Sequence, residues 1–318
     1  MAQFDVFNGD ADGICALLQL RLAEPLESQL VTGVKRDINL LAQVSAAAGD
    51  CVTVLDVSLD KNRVGLESAL ANGAEVFYVD HHFSGDIPDV SNLNAIINTT
   101  ADVCTSILVN QHLNGQFVEW AIVGAFGDNL KKSARVLCKS LDLSESQIND
   151  LENLGIYINY NGYGASLDDL HFTPTDLYLR LSQFESPFVF IENDKDDFDK
   201  LAGGYHADMA SAESLLPEFA DESVAVFLLP NETWARRVGG VYGNSLANQF
   251  PSRAHAVLTL KANGNYLVSI RAPLNNKTGA DEFCRQFETG GGRAAAAGIN
   301  DLPNEQLGSF IERFKQFY

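Results

Sequence analysis

Phe4-Asp5-Val6-Phe7-Asn8-Gly9-Asp10-Ala11-Asp12-Gly13-Ile14-Cys15-Ala16-Leu17-Leu18 begins with a short apolar run, passes two aspartates set between glycines, and continues into apolar residues at helical spacing. Phe4–Phe7 reads as a strand and the Asn8–Gly13 segment as a tight turn. Gly13–Leu26 reads as a helix whose apolar face carries Ile14, Leu17, Leu18 and Leu22. The same alternation recurs downstream, with strands expected near Val52–Val57, Glu75–Val79 and Ala95–Ile97 and a helix over Lys61–Asn72. Short β-rich runs separated by helices predict an α/β fold with a mostly parallel sheet and covering helices, in which ligands gather beyond the carboxyl ends of the strands.

Farther on, an apolar helix over Glu119–Phe126 leads into Gly127-Asp128-Asn129, and helices continue to about Gln183. The Asp194-Lys195-Asp196-Asp197 run is too charged for a core and reads as a linker or solvated loop. A smaller α/β unit should follow, with strands near Val224–Leu229, Ala256–Leu260 and Tyr266–Arg271 and a glycine-rich stretch over Gly290–Gly298. The expected division is a domain over 1–190, a linker over 191–222 and a second domain over 223–318, in keeping with 318 residues and domains of roughly 100–200 residues.

The five cysteines are scattered, odd in number and free of C-x-x-C spacing, which suits reduced thiols in the cytoplasm. No apolar stretch approaches the ~18 residues a membrane span needs, so no membrane role is expected. The net charge of −20 argues against tracking a long phosphate backbone, which calls for a basic surface. The charge is uneven. Residues 231–318 hold ten Lys/Arg against seven Asp/Glu, a net +3, leaving −23 on residues 1–230. Direct anion contacts are therefore expected in the C-terminal part.

Four acidic clusters fall where elements end: Asp10-Ala11-Asp12-Gly13, Asp56, Asp80-His81-His82 and Asp128. Taken singly, each has an ordinary reading as a helix cap or turn former. Their conjunction carries the argument, because three of the four sit at carboxyl ends of strands in one expected sheet. Mixed Asp and His donors suit Mn²⁺, with Mg²⁺ the all-oxygen alternative. Two such ions about 3.5–4 Å apart can activate water and clamp a phosphoryl displacement, so phosphate-ester hydrolysis is the expected reaction class.

This ordered set resembles the motifs of the DHH phosphoesterase superfamily, and Gly290-Gly291-Gly292-Arg293 with Val268-Ser269-Ile270-Arg271 resembles its DHHA1 substrate-binding domain. The resemblance implies two metal ions held by Asp10, Asp12, Asp56, His81 and Asp128, with Asp56 bridging. It implies further that Asp80 orients the imidazoles and that His82 meets the scissile phosphate or the leaving oxygen. In the C-terminal motif, the three glycines would let backbone N–H groups approach a phosphate ahead of a helix N-terminus, and Arg293 and Arg271 would add contacts to it. Two departures from the family are visible: Val6, Phe7 and Asn8 stand where many relatives have a His, and Arg293 stands where many have a His. The acidity points to a short oligonucleotide or small nucleotide as substrate. A RecJ-type single-strand exonuclease and a non-catalytic nucleotide sensor are the alternatives, and oligomeric state is left open.

Overall fold

The computed structural model describes all 318 residues, and the chain divides into two units, Met1–Ala202 and Gly203–Tyr318. In the first unit, β1 (Gln3–Phe7) leads into α1 (Ala11–Ala23) and the short β2 (Gln29–Val31). Then follow β3 (Cys51–Leu55), α2 (Leu59–Ala71), β4 (Glu75–Asp80) and β5 (Leu93–Ile97). The sheet order is β2-β1-β3-β4-β5 and every neighbouring pair is parallel. The chain moves one way from β1 to β2 and the other way from β3 to β5. The carboxyl ends of β1 and β3 therefore flank the point where the winding reverses, the place where such sheets bind ligands. Strand β2 has no counterpart in the sequence pattern, since three residues are too few to show a period.

Helices complete the unit: α3 (Thr105–His112), α4 (Val118–Gly127), α5 (Lys131–Cys138), α6 (Glu145–Asn161), α7 (Pro174–Leu181) and α8 (Pro187–Asn193). Helix α1 is buried from Ala11 through Leu20, so it lacks the polar stripe of a surface helix. Glycine makes the close packing around it possible. A Cβ on Gly127 would lie 2.3 Å from the Ala11 Cβ and 2.8 Å from the Gly155 carbonyl oxygen. This contact brings the end of α4, and with it Asp128, against the start of α1.

Residues 191–222 are mostly regular structure: the end of α8, the long helix α9 (Lys195–Glu213) and β6 (Phe219–Ala220). The acidic run expected as a solvated loop opens α9, with Asp196 and Asp197 in its first turn. Carboxylates are favoured there by the helix dipole, which explains how a highly charged segment is helical.

The second unit continues with β7 (Val224–Leu229), α10 (Thr233–Gln249), β8 (Ala254–Leu260), β9 (Tyr266–Arg271), α11 (Ala280–Cys284), β10 (Gly290–Gly292), β11 (Ala296–Leu302) and α12 (Leu307–Phe317). Its sheet runs β10-β11-β9-β8-β7-β6, with β7 and β8 parallel and the other pairs antiparallel. Phe283 of α11 packs against Phe310 and Phe314 of α12 under this sheet. The fold is thus α/β in both units, as expected.

Candidate metal centre and glycine-rich hairpin

Each acidic motif reaches the cleft through its own local logic. Asp10 is the N-cap of α1, its Oδ1 accepting the backbone N–H groups of Asp12 and Gly13 at 3.0 and 3.1 Å. Asp12, in the first turn of the helix, is held by the N-terminus of α3. Its Oδ2 accepts from the Thr105 N–H at 2.7 Å, and its Oδ1 from the Ser106 N–H at 2.7 Å and the Ser106 hydroxyl at 2.6 Å. The helix N-terminus stabilises this carboxylate and aims it. Asp56 follows β3 with φ +57°, a left-handed conformation uncommon outside glycine and concentrated at functional sites. Its Oδ1 accepts from the Thr105 hydroxyl at 3.2 Å.

His81 completes the convergence. Its Nδ1 lies 3.0 Å from the Val103 carbonyl, so Nδ1 carries a proton and donates, and Nε2 faces the carboxylates. Nε2 stands 3.3 Å from Asp56 Oδ1, 3.8 Å from Asp12 Oδ2 and 4.0 Å from Asp128 Oδ2. Asp56, His81 and His82 present one donor atom each within 4.8 Å of one another. The two imidazoles are oriented by different groups: His82 Nδ1 lies 2.7 Å from Asp80 Oδ1, whereas His81 is set by Val103.

The electrostatics fit a cation. Burial pushes the Asp56 carboxyl well above its ordinary value, and the neighbouring Asp12 and Asp10 carboxylates push it the same way. The Asp80 carboxyl is also buried, but His82 more than offsets that burial and holds it below its ordinary value. Mixed oxygen and imidazole donors around an excess of negative charge are suited to Mn²⁺ or a similar first-row ion. The His81 imidazole with the Asp56, Asp12 and Asp128 carboxylates forms a donor set that fits such an ion, with His82 beside it.

Asp10 differs from the other acidic residues. Its Oδ2 pairs with the Lys35 ammonium, which also donates to Asn159 Oδ1 at 3.0 Å. Burial alone would raise the Asp10 carboxyl, but the charge and hydrogen bond of Lys35 leave it below its ordinary value. Conversely, burial would lower Lys35, but the Asp10 charge, helped by Tyr163 and Asp128, raises it above its ordinary value. The sequence motifs do not point to Lys35, nor to Thr105, Ser106 and Val103. Lys35 follows the edge strand β2, and its placement at the same sheet edge is the signal that strand would have carried.

In the second unit, Gly290–Gly292 is strand β10 of a hairpin with β11, and no helix follows it. This corrects the expected glycine loop before a helix N-terminus: the alanines after Arg293 lead into a paired strand. The Arg293 N–H donates to the Ala296 carbonyl at 2.9 Å and the Ala296 N–H to the Arg293 carbonyl at 3.1 Å, closing a tight exposed turn. Packing accounts for two of the three glycines. A Cβ on Gly290 would meet the Cys284 carbonyl oxygen at 1.8 Å, and Gly292, at φ +141°, would meet the Ala297 Cα at 2.5 Å, whereas Gly291 faces open space. Arg271 is tied within its unit, donating to Asn244 Oδ1 at 2.6 Å, Ser269 Oγ at 3.0 Å and the Gly240 carbonyl at 3.2 Å. Its guanidinium joins α10 to β9.

The sequence matches no protein-family model and no curated protein. Solved structures do match. RecJ of Thermus thermophilus in complex with Mn²⁺ superposes with a TM-score of 0.65 at 17% identity over 99% of this chain. This chain spans 52% of that protein's length. A second exonuclease RecJ bound to manganese gives 0.62 at 16% identity, covering 98% of this chain and 88% of that one. The pGpG-specific phosphodiesterase PggH of Vibrio cholerae gives 0.56 at 14% identity, covering 99% and 97%.

The chain has a DHH-type fold.

In this DHH-type fold the buried cluster lies at the carboxyl ends of β1, β3 and β4, where the expected motifs Asp10-x-Asp12, Asp56 and Asp80-His81-His82 stand, joined by Asp128 from the end of α4. All five cysteines are free thiols, four of them buried. Burial raises Cys15 and Cys104 well above the ordinary thiol value, so these two lack thiolate character. No helix is long and apolar enough to cross a membrane.

Proposed function

We propose that this protein is a metal-dependent phosphoesterase that hydrolyses short oligonucleotides or small nucleotides. The observation that carries the reading is the convergence of His81 Nε2 with Asp56, Asp12 and Asp128 at a sheet switch point, with His82 beside them. A bound Mn²⁺ there would neutralise developing charge and lower the pKa of water.

The chain's own groups would do the remainder. Asp56 and His81 would hold the ion, and the Val103 carbonyl fixes the ring so that Nε2 points toward the carboxylates. Asp12 is kept rigid by the N-terminus of α3, so the cleft needs little reorganisation when charge develops. The Asp80 bond to His82 Nδ1 sets that half-exposed ring and leaves its Nε2 to hold or give up a proton at the leaving oxygen. Within the second unit, Arg293 and the Gly291 backbone at the β10–β11 hairpin would offer contacts to a phosphate.

A small substrate is favoured on two grounds. The chain is strongly acidic, with its basic excess confined to the C-terminal region, and this gives a long strand little to track along. The fold is also similar to that of PggH, a pGpG-specific phosphodiesterase, along nearly the whole of both chains. Hydrolysis of 5′-phosphorylated RNA of two, five and thirty nucleotides, with Mn²⁺, Mg²⁺ and chelator arms, tests the reading. Preference for the dinucleotide with loss under chelator is expected; preference for the thirty-mer would move the assignment to a single-strand exonuclease. Nucleotide binding with no hydrolysis at any length would make it a sensor.

A further inference from the structure

We infer that the Lys35 ammonium is a built-in cation of the cleft: it takes the position beside Asp10, so that the site binds one divalent ion rather than two. This rests on the metal-site reading above and deepens it. Asp10 has no uncommitted oxygen facing the cleft in the way Asp56 does. Its Oδ1 caps α1 through two backbone N–H groups, and its Oδ2 is paired with Lys35. The residues before Asp10 supply no imidazole to recruit an ion on that side, since Val6 and Phe7 are fully buried core residues and Asn8 carries only an amide.

Lys35 is fixed from several directions, unlike a surface lysine that has strayed onto a carboxylate. Its backbone N–H donates to the Gly162 carbonyl at 2.8 Å, and its Nζ donates to Asn159, which is 2% exposed. The ammonium lies 5.3 Å from the centre of the Tyr163 ring. All three partners belong to the last turn of α6 or directly follow it. The end of α6 itself presses on the motif, because a Cβ on Gly162 would meet the Gly9 carbonyl oxygen at 3.0 Å and the Asp10 Cα at 3.1 Å. The ammonium is thus held by the same packing that holds Asp10. A divalent ion at that carboxylate would have to displace it from three partners or endure its repulsion at close range. Lys35 makes no such pairing with His81 or Asp56, whose Nε2 and Oδ1 lie 3.3 Å apart and would hold the single ion.

The stoichiometry of the chelator-stripped full-length protein reloaded with Mn²⁺ decides the matter, read by elemental analysis and by electron paramagnetic resonance. The wild type should take up one Mn²⁺ per chain with the hyperfine pattern of an isolated ion. Lys35→Ala should take up two, with the signal of an exchange-coupled pair. Lys35→Gln, which keeps a hydrogen-bond donor near Asp10 and Asn159 without the charge, should do the same and covers the case in which the alanine variant does not fold. Two ions in the wild type would overturn this inference and leave the metal-site reading standing. One ion in a folded variant of either kind would overturn it as well, since Lys35 would not be what excludes the second. No bound ion in the wild type would remove the metal site itself, and this inference with it.

Discussion

Asp10 and Asp12 stand two residues apart in one turn, yet their carboxylates serve different structures. Asp10 caps α1 and pairs with Lys35, so Asp10→Ala should cost about 1–2 kcal/mol of stability in urea unfolding besides any effect on turnover. Asp12→Ala should cost more, about 3 kcal/mol, because it strips two buried backbone N–H groups and the Ser106 hydroxyl of their acceptor. His81→Ala removes the one nitrogen that faces three carboxylates. Groups that merely orient a metal ligand are worth about 10–100-fold in affinity, so its loss should weaken Mn²⁺ binding by more than about 100-fold, measured by titration, with helical content unchanged. Retained affinity would take His81 out of the site. The acidic and imidazole members are legible in the sequence because Asp-x-Asp-Gly and Asp-His-His are local patterns attached to strand ends. Lys35 is not, because its partners Asp10, Asn159 and Tyr163 are distant in the chain and a single lysine in Val34-Lys35-Arg36 carries no pattern.

At the level of elements, strands such as β3, β4, β7 and β9 are legible because buried β-branched runs end at polar turns. Those that escape are either too short to be periodic, as β2, or made of residues that pairing overrides, as β10 and β11, whose alanines and glycines have little intrinsic strand preference. The glycines of that hairpin separate packing from binding. Gly292→Ala places a Cβ within 2.5 Å of the Ala297 Cα at φ +141° and should destabilise the protein by about 2 kcal/mol or more. Gly291→Ala meets nothing within 4 Å and should leave the melting temperature within about a degree of wild type. If the Gly291 backbone approaches a phosphate, that same variant should raise KM; unchanged kinetics would confine the hairpin to a structural role. In the first unit, Gly127→Ala drives a methyl toward Ala11 and the Gly155 carbonyl, and should cost about 1–3 kcal/mol while loosening Asp128 from the start of α1.

Across the whole molecule the ionisable groups are divided between the two units, and each unit should respond to a different change in solution. The clustered carboxylates lie within Met1–Ala202, so chelation of the ion should lower hydrogen-exchange protection there, at the amides of α3 and at the end of α4. Gly203–Tyr318 instead contains His255, fully buried on β8, whose Nε2 accepts from the Arg253 Nε–H at 3.2 Å and whose Nδ1 has no partner. Burial, with the nearby Arg253 charge, lowers this imidazole from 6.5 to about 4. Above pH 6.5 it is neutral in both folded and unfolded chains and stability is complete. Below that, the unfolded chain takes up a proton that the folded chain refuses until about pH 4, so stability falls by about 1.4 kcal/mol per pH unit across this window. Near pH 5 the loss should reach about 2 kcal/mol, visible as reduced protection of β8 and β9 in metal-replete protein. His255→Leu, which keeps the site apolar, should flatten that dependence between about pH 6.5 and pH 5. An unchanged slope in the variant would mean that the acid sensitivity of this unit has another source.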